Sequence, residues 1–270
     1  MKKCFTITAL RTADDFQGYQ NLLKDGVFSA IEIFFPSTVS EQNAYKLKVQ
    51  KLLSPFPDLE VIMHLPFGKA SDLCDGDHLV LTISKMKAGM DFAGAFGVKK
   101  LTLHLGFVKK PLPREEYLAR ITETLKDLCD YADKLGMTVM IENIPTEKEL
   151  GCTPEEILDI IRRTGKPNLK FIFDIGHAHV APGSDLSYLS VLKDYLSHLH
   201  LSDNHGVRDE HRNLGYGTVD FLAFFSKLRE IGYDQTFCLE ILHKNEADLR
   251  SFAAEFDRLA ALSGLSEIKY

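Results

Sequence analysis

Short runs of β-branched and aromatic residues recur along the chain, and each is followed by a longer amphipathic segment. The strand candidates are 4–9, 29–34, 59–65, 99–105, 138–144, 169–175, 197–202 and 236–242. Helix candidates lie near 14–24, 40–53, 77–96, 114–135, 154–164, 187–195, 219–231 and 245–262. Parallel strands must be joined by long crossovers, usually helical. Strand-then-helix units repeated over ~250 residues therefore specify an α/β fold, a (β/α)8 barrel. The helix ends agree. Thr153-Pro154-Glu155-Glu156 offers a cap followed by proline at the first helical position. Gly97, Gly136, Gly165 and Gly232 stand where helices should stop. No linker or low-complexity run divides the chain, so residues 1–270 are expected to form one barrel domain.

Side chains alternate faces along a strand. One face of each run is apolar, such as Val139/Ile141, Phe171/Phe173, Leu199/Leu201 and Phe237/Leu239/Ile241. The other face carries an ionisable group near the strand's C-terminal end: Glu32, His64, His104, Glu142, Asp174, His200 and Glu240. Apolar faces should pack under the helices, and the ionisable ones should point inward at the end where barrel enzymes build their sites. Residues 197–217 concentrate this chemistry, with four of the ten histidines between positions 198 and 211. The loops add His177 after Asp174, and Asp209 and His211 after His200.

So many carboxylates and imidazoles at one barrel mouth would suffer desolvation and mutual repulsion. A divalent cation relieves both, because it satisfies several carboxylates and takes neutral imidazoles. Histidine with carboxylates suits a borderline metal, zinc or manganese. A single strand-end Glu or His often serves only as a hydrogen-bonded barrel residue. Recurrence at one strand position in Glu142, Asp174, His200 and Glu240 argues for a metal quartet instead. His64, His104, His177, Asp209 and His211 are candidates for additional metal ligands, and substrate contacts would also explain them. Glu32 reads as a substrate contact or a structural ion pair, and His198 as a core or supporting group. Lys69, Arg208 and Arg212 are candidates for holding a charged substrate tail.

The remaining features exclude other classes. A net charge of −6 gives no global attraction to nucleic acid or an anionic membrane. The five cysteines form no CxxC pair, so neither a disulfide framework nor a thiolate zinc knuckle is expected. No apolar run approaches the ~20 residues of a membrane span. A cytoplasmic location is expected.

The segments MHLPF (63–67), HLGF (104–107), IENIP (141–145), FDIGHAH (173–179), HLHLSDNHGVRDEHRNLGYGTVDF (198–221) and LEI (239–241) together resemble the xylose isomerase-like barrel superfamily. That superfamily includes sugar and sugar-phosphate isomerases and epimerases, and the endonuclease IV family of zinc enzymes. The resemblance implies a shared metal centre at Glu142, Asp174, His200 and Glu240. In the endonuclease IV branch it implies three zinc ions: one at His64, His104 and Glu142, a second at the quartet with Glu142 as bridge, and a third at His177, Asp209 and His211. One ion is expected here, and up to three would fit. SDN directly after the seventh strand, and VDF opening the next helix, look more like the isomerase branch. The compact loops at 35–39 and 66–75 offer no arginine-plus-aromatic wedge for opening a duplex.

Two mechanisms follow. In the first, a sugar, sugar phosphate or related polyhydroxy carbonyl compound is isomerised or epimerised by proton transfer through a metal-stabilised enediolate. Glu142 and Glu240 act as bases, and His177 polarises or positions an oxygen. In the alternative, clustered zinc ions cleave a phosphodiester at abasic sites in DNA. A non-catalytic barrel would be expected to lose part of the quartet, which is intact.

Overall fold

A computed structural model describes residues 1–7, 13–36, 38–108, 112–183 and 186–265. The β-branched runs become β1 (Lys2–Ile7), β2 (Ala30–Phe34), β3 (Glu60–His64), β4 (Lys100–Leu103), β5 (Thr138–Glu142), β6 (Leu169–Asp174), β7 (Leu196–Leu201) and β8 (Thr236–Leu239). Each pairs in parallel with the next, and β8 pairs with β1 to close the barrel. The first strand begins two residues earlier than the pattern suggests, and positions 8 and 9 of that expectation lie outside the described residues.

The crossovers are α1 (Ala13–Lys24), α2 (Val39–Leu53), α3 (Leu79–Gly94), α4 (Arg114–Lys134), α5 (Pro154–Thr164), α6 (Ile175–Val180), α7 (Ser187–Val191), α8 (Phe221–Glu230) and α9 (Glu246–Leu262). Their ends follow local chemistry. Thr38 and Glu41 form a reciprocal capping box at α2. Thr153 caps α5, Pro154 opens it, and Gly165 ends it at φ 64°, in the left-handed region. Several expected elements come out shorter, with α7 ending at Val191, β4 at Leu103 and β8 at Leu239, and one helix is additional. The residues after Asp174 form a short helix, α6, rather than a loop, because the Asp174 side chain accepts the His177 N–H at 2.7 Å and caps it.

The two faces of each strand divide as the alternation requires. Phe5, Ile31, Met63, Leu101, Ile141, Phe173, Leu199 and Phe237 join the core between barrel and helices. Burying each such side chain contributes about 1.5–3 kcal/mol. Cys4, Ala30, Ile62, Met140, Ile172 and Cys238 form a separate layer within the barrel. All five cysteines are buried free thiols.

The N-terminal end of the barrel is tied by Glu60. Its carboxylate accepts from Thr236 Oγ1 at 2.8 Å and pairs with Lys100 Nζ at 3.2 Å and Lys2 Nζ at 3.7 Å, linking β3 to β8, β4 and β1. Burial pushes the Glu60 carboxyl up, but Lys100, the Thr236 hydroxyl and Lys2 outweigh it and hold it below its ordinary value. A depressed folded pKa stabilises above the unfolded pKa, here about 4.3. That contribution is lost as pH falls through the folded value. Glu60→Gln should therefore lower stability near neutral pH by about 1 kcal/mol or less, because the group is partly open to solvent. Urea titrations should show the gap to wild type closing on acidification; a gap independent of pH counts against this role.

Candidate metal centre

Strand register brings the quartet together. Asp174 on β6 pairs laterally with His200 on β7, and His200 pairs with Cys238, two residues before Glu240. An irregularity in the β6–β7 pairing between Phe171 and Ile172 sets this alignment. Glu142 ends β5, and Glu240 lies just past β8, where its N–H still bonds Leu201 O at 3.1 Å. One ligand atom from each of Glu142, Asp174, His200 and Glu240 lies within 4.8 Å of every other. His200 Nδ1 is 2.9 Å from Glu142 Oε1, 3.0 Å from Glu240 Oε2 and 3.9 Å from Asp174 Oδ2.

Burial and charge compete in this group. For Glu142, burial pushes the carboxyl up, but the His200 and His104 imidazoles outweigh it and hold it well below the usual range. For Glu240, burial is likewise outweighed, chiefly by His200. Asp174 goes the other way: burial pushes it up to about 7, His177 opposes, and Glu142, Glu240 and Asp209 add to the rise. Its Oδ2 is buried and has no hydrogen-bond partner among the described residues, and neither has Asp209 Oδ1. Buried carboxylate oxygens are rarely left unpaired. Two of them beside imidazoles and further carboxylates fit a divalent cation.

The second candidate group stands beside the first. His104 Nε2 lies 2.8 Å and His64 Nε2 3.6 Å from Glu142 Oε2, so Glu142 faces both groups. The His64 ring stacks on Phe34 at 5.2 Å and packs against Phe67, which stands 51% exposed at the mouth. Asp209 Oδ2 lies between His211 Nε2 at 2.7 Å and His177 Nε2 at 3.5 Å. His211 adopts φ 46°, which is unusual for a non-glycine residue, while its Nδ1 bonds Glu240 O at 2.9 Å. His211 is pushed up to about 9, Asp209 and Glu240 outweighing burial. A cleft of about 190 Å³ opens here, lined by Thr6, Phe34, Phe67, His211, Glu240 and His243 among others.

The tail-holding candidates behave differently. Arg208 and Arg212 are exposed and pair with Glu210 at 3.4 and 3.2 Å, and Lys69 is exposed in a short 3-10 turn, Lys69–Ser71. Glu32, which the sequence suggests as a substrate contact or ion-pair member, is wholly buried inside the barrel. It accepts from Thr102 Oγ1 at 2.9 Å and faces His200 Nε2 at 2.8 Å and His198 Nε2 at 3.2 Å.

Supporting residues that sequence reasoning passes over complete the site. Asn143 clamps the Asp174 backbone: its Oδ1 accepts the Asp174 N–H and its Nδ2 donates to Asp174 O, both at 2.8 Å. Asp203 accepts the N–H groups of Asn204, Gly217 and Val219 at 2.8, 2.8 and 3.1 Å, gathering the loop that carries Asp209 and His211. The loop closes so tightly that a Cβ on Gly217 would fall 2.2 Å from Asn204 O. The only hint in the sequence is a short polar residue directly after an apolar strand.

The chain belongs to the xylose isomerase-like TIM barrel family, whose model matches residues 21–262. Within it, the chain is 30% identical over 200 residues to the uncharacterized protein MJ1311 of Methanocaldococcus jannaschii, covering 71% of this chain and 67% of that protein. It is 26% identical over 186 residues to fructoselysine 3-epimerase of Escherichia coli O157:H7, covering 67% of this chain and 66% of that protein. The chain thus aligns with about two thirds of the length of these relatives. A solved D-tagatose 3-epimerase-like protein superposes with a TM-score of 0.82 at 23% identity, covering 99% of this chain and all of that one, and shares its fold. Among the described residues, no helix is long and apolar enough to cross a membrane.

Proposed function

We propose that the protein is a divalent-metal-dependent isomerase or epimerase of a sugar, sugar phosphate or related polyhydroxy carbonyl compound. One observation carries the reading: Glu142 at the end of β5 and Glu240 just past β8 reach His200 Nδ1 at 2.9 and 3.0 Å, beside the unpaired Oδ2 of Asp174. Glu142, Asp174, His200 and Glu240 would hold the ion. When bound, a zinc or manganese ion supplies Lewis-acid stabilisation of the negative charge that builds on a carbonyl oxygen as its neighbouring carbon loses a proton. Glu142 and Glu240, both held ionised, take and return that proton. Delivery to the opposite face inverts the carbon. His177, fixed by its Nδ1 contact to Asn143 O at 2.9 Å, presents Nε2 toward Asp209 and positions a substrate oxygen. Phe34 and Phe67 bound the cleft and limit the water beside the reacting carbon. The family membership and the similarity to a sugar epimerase support the same class.

The test is solvent exchange. Metal-stripped protein incubated with a panel of ketoses in deuterated water should leave the carbon beside the carbonyl unlabelled, and restoring manganese or zinc should introduce deuterium there. Absence of exchange with every ketose, coupled with nicking of an abasic-site duplex, would sink the proposal. The second group, His64 and His104 with Glu142, supports that second reading, a zinc phosphodiesterase. Nicking that disappears in His64→Ala would favour it.

A further inference from the structure

We infer that Glu32 is a positioning residue for the metal centre: its carboxylate holds the Nε2 proton of His200, so that the Nδ1 lone pair is presented to Glu142, Asp174 and Glu240. The inference rests on the reading that those residues hold a divalent cation.

An imidazole that binds a metal through one nitrogen must carry its proton on the other. Nothing in the strand geometry alone decides which nitrogen of His200 that is, because the ring is enclosed on both sides. Nδ1 faces the quartet at 2.9–3.9 Å, and Nε2 faces Glu32 Oε2 at 2.8 Å. Glu32 settles the choice by what it can accept. Its Oε1 takes the Thr102 hydroxyl at 2.9 Å, and Oε2 is shared by His200 and His198 Nε2, the latter at 3.2 Å. An ionised carboxylate is acceptor-only, so an N–H must point at it from each ring. An uncompensated carboxylate in the fully buried interior of a barrel is costly. A neutral side chain could bond Thr102 equally well, so what the charge adds is the orientation and basicity of His200. Carboxylate–histidine–metal relays work in this way.

Glu32, His198, His200 and Cys238 could also be read as a lower metal site, since their ligand atoms too lie within 4.8 Å of one another. The lower site would require His200 to bind through Nε2. Glu32 already has three partners on its two oxygens, which disfavours it.

Zinc affinity of the metal-stripped full-length protein, measured by competition with a chromophoric chelator, tests the inference. Glu32→Gln should weaken binding about 10–100-fold while the metal-free protein keeps its far-UV circular dichroism. Thr102→Val, which leaves the charge and the bond to His200, should bind close to wild type. An unchanged affinity in Glu32→Gln, or equal losses in both variants, overturns the positioning role. If Glu32→Gln does not fold, a measurement on the wild type replaces it. In zinc-loaded protein with 15N-labelled histidine, His200 should show a protonated Nε2 and a metal-shifted Nδ1. Zinc on Nε2 overturns the inference. Wild-type protein that takes up no zinc or manganese overturns the metal reading itself, whereas tight wild-type binding with unchanged Glu32→Gln binding overturns only the role of Glu32.

Discussion

Glu142→Gln should slow deuterium exchange into substrate by about 10²–10⁴-fold, the range for removing a positioned base. The substitution keeps the shape of the side chain but removes its charge, and Glu142 is where the two ionisable groups meet. His200 and His177 face its Oε1, and His104 and His64 its Oε2, at 2.8–3.7 Å. Metal affinity should therefore fall together with exchange. Glu240→Gln offers the contrast, because the close imidazole contact of its carboxylate is to His200 alone among the histidines around Glu142. With one base left, exchange from one epimer should persist while exchange from the other is lost. NMR of both epimers in deuterated water measures this directly. Normal exchange in Glu142→Gln rules out its role as a base.

Asp203→Ala is expected to have the largest effect on stability, on the order of 3 kcal/mol, since it leaves three backbone N–H groups without the side-chain acceptor that gathers them. The side chain is fully buried, and the backbone at the same residue exchanges hydrogen bonds with Arg212 at 2.9 and 3.0 Å. Losing this anchor should release the segment that places Asp209 beside His177 and His211. The urea midpoint should fall, and contacts that depend on Asp209 should weaken while the quartet persists. Asp203→Asn, which retains acceptor capacity on one oxygen, should lose less. An unchanged midpoint in Asp203→Ala would remove the argument that this residue organises the loop.

These two residues differ in how visible they are in the chain. Glu142 is legible because a lone carboxylate interrupts an apolar alternation, and only a barrel interior or a site tolerates it there. Asp203 sits among other polar residues, and its work is done through backbone N–H groups up to sixteen positions away. No local pattern encodes such a partner. Asn143 is hidden for the same reason: its partner is the backbone of the next strand. The helix after Asp174 was also beyond local reading, since six residues with two histidines carry little periodicity and depend on the Asp174 cap.

By itself the sequence determined the alternation of strands and helices, the inward and outward faces of each strand, and which ionisable side chains stand at strand ends. These are properties of period and polarity, which act over a few residues. Tertiary structure decided which of those groups meet. It placed Glu32 beneath His200, set the β6–β7 alignment that puts Asp174 beside His200, and left one Asp174 oxygen buried and unpaired. The physical reason is that strand pattern constrains direction only, whereas distance around a closed barrel depends on register and closure, which every strand shares.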